Sequence, residues 1–412
     1  MPVSRRALLA GSGLVATGVG VWQRRRIVRY PELEAMREAT DYPVPSFEAG
    51  APVADAHLEA AYDRALTTLE DAHEATPDGQ GLSPTRSDLE RFAPDELAGA
   101  SRAERRNGLT RLREYTRGPH RAIGAVRYEE GDLEESTLDE RIDEVRAALE
   151  AAETPYRGES LADAVVVSGI VDDRRLEAEL LVDEADDRAH RSDGDYARSW
   201  RDLAVAEAHL EDGDWHEREI GGDDFGDRLA TVLERAASLL EGRTREDEVG
   251  RIRGFPTYAR DVVRYQMHRG TSVSSVPIKI ERGFLASGVR AACYRYTTFE
   301  ILEAFDDVPS SPFWERFDWT VDADGLPDRK RAAVDAVEST LENHDDPLVR
   351  WLLAAPVDIL EDADRGLGRQ VENVTDADAD RWQSAINGYH ARCLTTEAFA
   401  EQVPDTVATL LE

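Results

Sequence analysis

Cysteine, lysine and long apolar runs are scarce in this 412-residue chain, and each shortage excludes something. Two cysteines, Cys293 and Cys393, are too few for a disulfide framework. They leave one cross-link closing a loop of about 100 residues, or two separate buried thiols. Only Lys279 and Lys330 are lysines, so the positive charge is carried almost wholly by arginine. No G-x-S-x-G elbow and no P-loop is present, which removes those signatures of serine hydrolases and of phosphate cradling. No stretch alternates apolar and polar residues with period two, so a sheet is not expected. One uncharged run, Ala7 to Trp22, stands out, and at 16 residues it falls short of the ~20 that a bilayer-spanning helix needs.

Acid is what the chain has in excess. Asp and Glu total 84 against 50 Lys and Arg, a net charge of −34. No acid precedes Glu32, whereas Arg5, Arg6, Arg24, Arg25, Arg26 and Arg29 do; without those six charges the −34 becomes −40 for the body. Such a charge strains a compact chain by self-repulsion in dilute buffer. At 1 M salt the screening length is about 3 Å and the strain is relieved. The composition resembles that of proteins from extreme halophiles. Disorder is the other outcome of high net charge, but 41% of residues are hydrophobic and recur at helical spacing. Nucleic acid is not an expected partner, because the body repels it and phosphate contacts weaken steeply with salt.

The N-terminus carries a family resemblance. Ser4-Arg5-Arg6-Ala7-Leu8-Leu9, followed by the Gly-rich apolar run to Trp22, resembles a twin-arginine (Tat) export signal. The resemblance covers about the first 26 residues and implies export of an already folded body. Residues 1–30 are therefore expected to act as a signal or membrane anchor, with the body extracytoplasmic. Ala-x-Ala is absent after the run, and Arg24, Arg25, Arg26 and Arg29 follow it, which by the positive-inside rule favours a cytoplasm-facing body. Secretion after cleavage is the third placement. The same arginines suit anionic lipid headgroups. Gly11-Ser12-Gly13-Leu14-Val15-Ala16 fits G-x-G-x-x-[GA], but no strand–helix–strand context surrounds it, and no cofactor is expected.

Beyond the basic arm the expected fold class is all-α: a multi-helix bundle or irregular helical array, divided into regions 31–157 and 158–412. A TPR-like solenoid is the alternative, from Trp200, Leu203, Ala204 and Ala208 ahead of a turn at Gly213-Asp214-Trp215. Periodic apolar stripes predict helices over 31–40, 52–75, 194–211, 223–241, 327–343 and 346–363. Residues 95–130 read as two helices broken near Gly118-Pro119, with Pro94 opening the first. Thr137-Leu138-Asp139-Glu140 reads as a capping box, and Ser160 as the start of a helix through Ala164-Val165-Val166-Val167. Helices are also expected over 256–268, 277–305 and 376–412, the last broken near Thr395-Thr396 and kinked at Pro404.

Candidate chemistry concentrates in residues 251–306, where nine bases and three acids lie between Arg251 and Glu300 among seven aromatics. Arg264, His268 and Arg290 are candidate anion-binding residues there. The competing reading has these arginines paired to acids of neighbouring helices and the aromatics in the core. Glu70 and His73 form one E-x-x-H step without the second copy a di-iron bundle needs. Asp376, Asp378 and Asp380, and likewise Asp322 and Asp324, resemble parts of a calcium loop whose closing positions fail. No metal site is expected. His390 and Cys393 share a helical turn without an evident activating setting, and Trp215-His216-Glu217 reads as a loop hydrogen-bonding cluster. No residue receives a catalytic role. The expectation is a non-catalytic binding or scaffold module with a membrane or protein partner. Alternatives are an enzyme with a cleft around 251–306 and a peripheral anionic-lipid binder.

Overall fold

A computed structural model describes residues 30–76, 83–191, 195–241, 275–306, 322–372 and 379–412. The described residues are helical almost throughout, in agreement with the expected all-α array. In chain order the helices are α1 (Tyr30–Asp41), α2 (Asp55–Ala75), α3 (Arg86–Glu90), α4 (Arg102–Glu130), α5 (Glu135–Ala151), α6 (Leu161–Ala189), α7 (Tyr196–Glu219) and α8 (Gly226–Leu240). Then follow α9 (Ser275–Glu281), α10 (Leu285–Asp306), α11 (Leu326–Asn343), α12 (Pro347–Glu372) and α13 (Ala379–Leu411). Two strands of two residues each, β1 (Arg157–Gly158) and β2 (Asp223–Asp224), pair antiparallel. That bridge is too short for period-two patterning to reveal it.

Local chemistry explains most of the boundaries. Ser101 and Glu104 form a capping box at the start of α4, and the left-handed Gly131 ends it. Ser160 caps α6 by accepting the Asp163 N–H at 3.1 Å. The box expected at Thr137 does not form: α5 begins at Glu135, one turn earlier in effect, with Glu134 at the N-cap.

Two expected breaks and one expected helix start are corrected. Helix α4 runs unbroken through Gly118 and Pro119. Gly118 is needed there for close approach, since a Cβ would lie 2.3 Å from the Ser83 carbonyl oxygen. Pro94 sits in a run of turns instead of opening a helix. Helix α13 is continuous past Thr395 and Thr396, because the Thr395 hydroxyl donates to the Ala391 carbonyl (2.8 Å) and Thr396 to that of Pro356 (3.3 Å). Conversely, the single helix expected over 277–305 is two. Gly283 adopts φ +77° and turns the chain between α9 and α10. Helix α7 extends to Glu219, so no turn at Gly213 closes a TPR-like hairpin.

Among the described residues four apolar clusters hold the array. Leu58, Leu69, Leu89 and Leu112 join α2, α3 and α4. Leu138, Ile142, Val182, Ala185 and Leu203 join α5, α6 and α7. The largest cluster gathers Val165, Leu233, Val289, Leu352 and Phe399 from α6, α8, α10, α12 and α13. The fourth joins α1, α11, α12 and α13 around Met36, Leu326, Leu360 and Tyr389. Helix α6 belongs to two clusters, one at each end. Its first half, Leu161 to Val171, is buried or half-buried on every side, and its charged residues gather in the second half apart from Asp163. In the fourth cluster the fully buried Lys330 ammonium donates to Asp364 at 2.7 Å. The Tyr389 hydroxyl lies 2.7 Å from Asp364 and 3.1 Å from the Ala39 carbonyl, tying α1, α11, α12 and α13 to one carboxylate.

Candidate functional site

Between Ala152, the extended C-cap of α5, and Tyr156 the chain passes against α6 without regular structure, and this segment is pinned at every step. Arg175 donates to the Glu153 carbonyl at 2.5 Å and to the Thr154 hydroxyl at 2.7 Å. Ser168 donates to the Pro155 carbonyl at 2.7 Å, and the Phe225 N–H to the Tyr156 carbonyl at 2.7 Å. The turn Arg282–Phe284 approaches from the other side, where the Tyr156 hydroxyl lies 2.9 Å from the Gly283 carbonyl and accepts the Leu285 N–H at 3.2 Å.

These walls line a cavity of about 440 Å³ that is open to solvent on one side. Arg146, Leu149 and Glu150 come from α5; Arg175, Glu179, Val182 and Asp183 from α6; Arg282, Gly283 and Phe284 from the turn; Ala152, Thr154 and Tyr156 from the pinned segment. The volume lies in the range of small-molecule pockets, roughly 300–1,000 Å³.

Behind Tyr156 lies Asp172, wholly buried. It accepts the Ser287 N–H at 3.0 Å, and its Oδ1 is 3.2 Å from the Tyr156 hydroxyl. Burial pushes its carboxyl up to about 6, against the lowering effect of the Ser287 and Thr154 hydrogen bonds. Burial and the neighbouring Asp172 charge likewise raise the Tyr156 phenol, which therefore stays protonated at neutral pH.

The neighbouring acid, Asp173, answers the question of Arg290. That arginine is buried, pairs with Asp173, and donates to the Gly169 carbonyl at 2.7 Å while its guanidinium stacks 4.5 Å over the Trp351 ring. Lys279 joins Asp173 at 3.0 Å. Burial alone would raise the Asp173 carboxyl, but Arg290 and Lys279 hold it below its ordinary value. Of the three candidate anion-binding residues, Arg290 is thus taken up inside the protein; Arg264 and His268 lie outside the described residues, as do Arg5 and Arg6.

The cysteines are both free and buried, and they belong to different apolar clusters, Cys293 to the largest and Cys393 to the fourth. The cross-link considered from the sequence is not present. Burial pushes each thiol up to about 12, so neither is a thiolate at neutral pH.

A second polar centre lies where α2, α4 and α7 meet. Asp212, buried, pairs with Arg113 and with Arg64 (2.9 Å), and lies 3.3 Å from His57 Nε2. The His57 ring stacks on Trp215 (5.8 Å, 10°) and meets the edge of His216 (5.0 Å). Trp215 and His216 therefore sit in the last turns of α7, a helix where the sequence suggested a loop. Burial would raise the Asp212 carboxyl, but the His57 hydrogen bond and the two arginines hold it far below the usual range. Burial pushes His209 down to about 2 and His216 to about 3, so both are neutral. This centre is closed and binds helices to one another.

The remaining sequence candidates are local contacts. His73 bonds its own helix at the Leu69 carbonyl (2.8 Å), and Glu70 meets Arg86 at 3.5 Å. Asp322 caps the short 3₁₀ turn Ala323–Gly325, accepting from Asp324 N–H at 3.3 Å. Asp376 and Asp378 lie outside the described residues. Among the described residues no group of three or more His, Cys, Asp or Glu is placed to hold a metal ion.

Sequence reasoning missed Asp172, Tyr156, Arg175, Arg146 and Glu150. One signal was available: Asp172-Asp173 interrupts the apolar stretch of α6 between Val171 and Leu176, and acids there must find partners.

Residues 211–412 are similar to a family described as a domain of unknown function (DUF8264). No curated protein and no solved structure matches the chain. The matched part contains Arg282, Gly283 and Phe284 of the cavity; the other lining residues precede it.

Proposed function

We propose that this chain is a non-catalytic binding module whose ligand site is the cavity between α5, α6 and the Arg282–Phe284 turn. The observation that carries the reading is the pinned segment 152–156, which fixes one wall of a 440 Å³ space before any ligand arrives. A preformed site loses less entropy on binding. Binding is favoured over catalysis because the groups with reactive potential are engaged: the Tyr156 hydroxyl is hydrogen-bonded on both sides, and Asp172 is closed off behind it. The turn that completes the site belongs to the basic aromatic segment 251–306, where the enzyme alternative placed its cleft.

The proposal includes delivery to the membrane. Residues 1–30, with Arg5 and Arg6 ahead of a weakly apolar run, serve as a Tat-like signal or anchor and leave the acidic body outside the cytoplasm in concentrated salt. Among the described residues no helix is long and apolar enough to cross a membrane, so in this proposal lipid contact belongs to residues 1–30.

Thermal melts of the purified chain against a library of polar metabolites test the site. A compound that raises the melting temperature of the wild type but not of Ala152→Trp, which fills the cavity, supports it. Protection that survives in Ala152→Trp, or none at all, removes it, and turnover of the bound compound makes the protein an enzyme. Cell fractionation with N-terminal sequencing tests delivery: intact chain, Met1 included, wholly in the soluble lysate overturns it.

A further inference from the structure

We infer that the cavity receives a small zwitterion with an apolar side chain, of the free α-amino acid class. The inference rests on the binding-module reading and names its ligand. Charge in the lining is balanced: Arg146, Arg175 and Arg282 stand against Glu150, Glu179 and Asp183. A simple anion would lie among as many carboxylates as guanidiniums, and a simple cation would meet the converse. A molecule carrying both signs a few ångströms apart meets attraction at each end.

The lining also shows where each end goes. Arg282 is committed to Glu179 (2.7 Å) and Asp183 (3.3 Å), and Arg175 to Thr154 and the Glu153 carbonyl. Arg146 hydrogen-bonds only through Nη2, to Asp186 at 2.5 Å, with Asp183 and Asp143 near enough to act on its charge; its Nε and Nη1 make no hydrogen bond among the described residues. Glu150 forms no hydrogen bond or ion pair among the described residues. These two stand one helical turn apart on α5 and both line the cavity, yet they do not pair with each other. Arg ahead of a carboxylate at i,i+4 is the less favourable order on a helix, so little is lost when a ligand comes between them.

A carboxylate on Arg146 Nε and Nη1 and an ammonium on Glu150 satisfy both groups. Leu149 lies between them in sequence, and with Val182 and Phe284 it supplies the apolar wall that a side chain would cover. The discriminating interactions are charge-assisted hydrogen bonds, so an analogue lacking either charge forfeits one of them.

Calorimetric titration of the full chain tests the assignment, with L-leucine and L-phenylalanine beside N-acetyl-L-phenylalanine, phenethylamine and glycine. Expected are binding of leucine or phenylalanine and at least tenfold weaker binding of each single-charge analogue and of glycine. Arg146→Gln and Glu150→Gln, both at partly or fully exposed positions, keep the wild-type circular dichroism and a cooperative melt, Arg146→Gln a few degrees lower for the lost Asp186 pair, and each bind at least tenfold more weakly. Equal affinity for a single-charge analogue, undiminished affinity in the two variants, or no heat from any amino acid overturns the inference. The library melt distinguishes the two failures. A compound of another class that protects the wild type but not Ala152→Trp keeps the cavity and discards the zwitterion; if none protects, both are discarded.

Discussion

Asp172 shows what a single buried carboxyl does to this fold. Its hydrogen bonds from the Ser287 N–H and near Tyr156 bind α6 to the start of α10, but burial raises its carboxyl from 3.8 to about 6. The elevation corresponds to about 3 kcal/mol at 1.36 kcal/mol per pH unit. The folded form holds the proton more tightly than the unfolded chain, so this contribution is present below pH 3.8. It is lost as pH rises through about 6. Asp172→Asn keeps an acceptor for Ser287 and never ionises. We predict that it stabilises the protein by roughly 1–3 kcal/mol at pH 7.5 and by little at pH 4, measured as the difference in denaturant midpoints between variant and wild type. Asp212 has the opposite sign. Its carboxyl is held low by His57, Arg64 and Arg113, so its contribution is full above the unfolded value and lost as pH falls below it. A variant difference that does not change between pH 4 and 7.5 would refute the assignment of the slope to Asp172.

At the scale of elements, the crossing of α6 and α10 depends on a missing side chain. Arg290 of α10 lies across Gly169 of α6, and a Cβ there would stand 2.7 Å from its Nε and 2.8 Å from its guanidinium carbon. The guanidinium has nowhere to retreat, since Asp173, the Gly169 carbonyl and the Trp351 ring hold it. Helix propensity alone favours Ala over Gly by about 1 kcal/mol. Overpacking of a held group costs typically 1–3 kcal/mol and should win. Gly169→Ala is therefore expected to lower stability, by up to about 2 kcal/mol net. A variant as stable as wild type in urea melts would show that α10 shifts freely.

How much of this was legible follows from the same elements. Amphipathic stripes such as Leu138, Ile142 and Val145 marked their helices directly, because half-buried helices write their period into the sequence. Breaks were misjudged where tertiary contact overrode local preference. Pro119 stays in α4, and the hydroxyl of Thr396 bonds another helix instead of ending its own. Gly283, one glycine among 29, gave no warning that it would turn the chain and complete a cavity. The cavity itself was illegible. Its walls come from residues 146–183 and 282–284, brought together by packing and not by any spaced motif. Its acids were three among 84.

For the whole molecule the governing quantity is the net charge of −34 set against a surface laced with arginine–carboxylate pairs such as Arg141–Glu207 at 2.7 Å and Arg365–Asp362 at 2.5 Å. Salt acts on both, in opposite directions. Attraction within a pair operates at contact distance, and exposed pairs contribute only about 0–1 kcal/mol each to begin with. Repulsion among the excess acids acts over longer distances. At 0.1 M the screening length of about 10 Å lets each surface acid feel its neighbours; at 1 M, about 3 Å remains and mainly contacts survive. Salt therefore removes more repulsion than attraction. The melting temperature is predicted to rise by at least about 5 °C between 0.1 M and 2 M sodium chloride, a gain of a few kcal/mol for a chain of this size. Sucrose at equal osmolality, which does not screen charge, separates this effect from solute exclusion at the surface. Replacing exposed, unpaired acids by their amides should flatten the salt curve by raising its low-salt end. A melting temperature that stays level or falls with added salt would mean that the ion pairs, not the acid excess, dominate the electrostatics of the folded state.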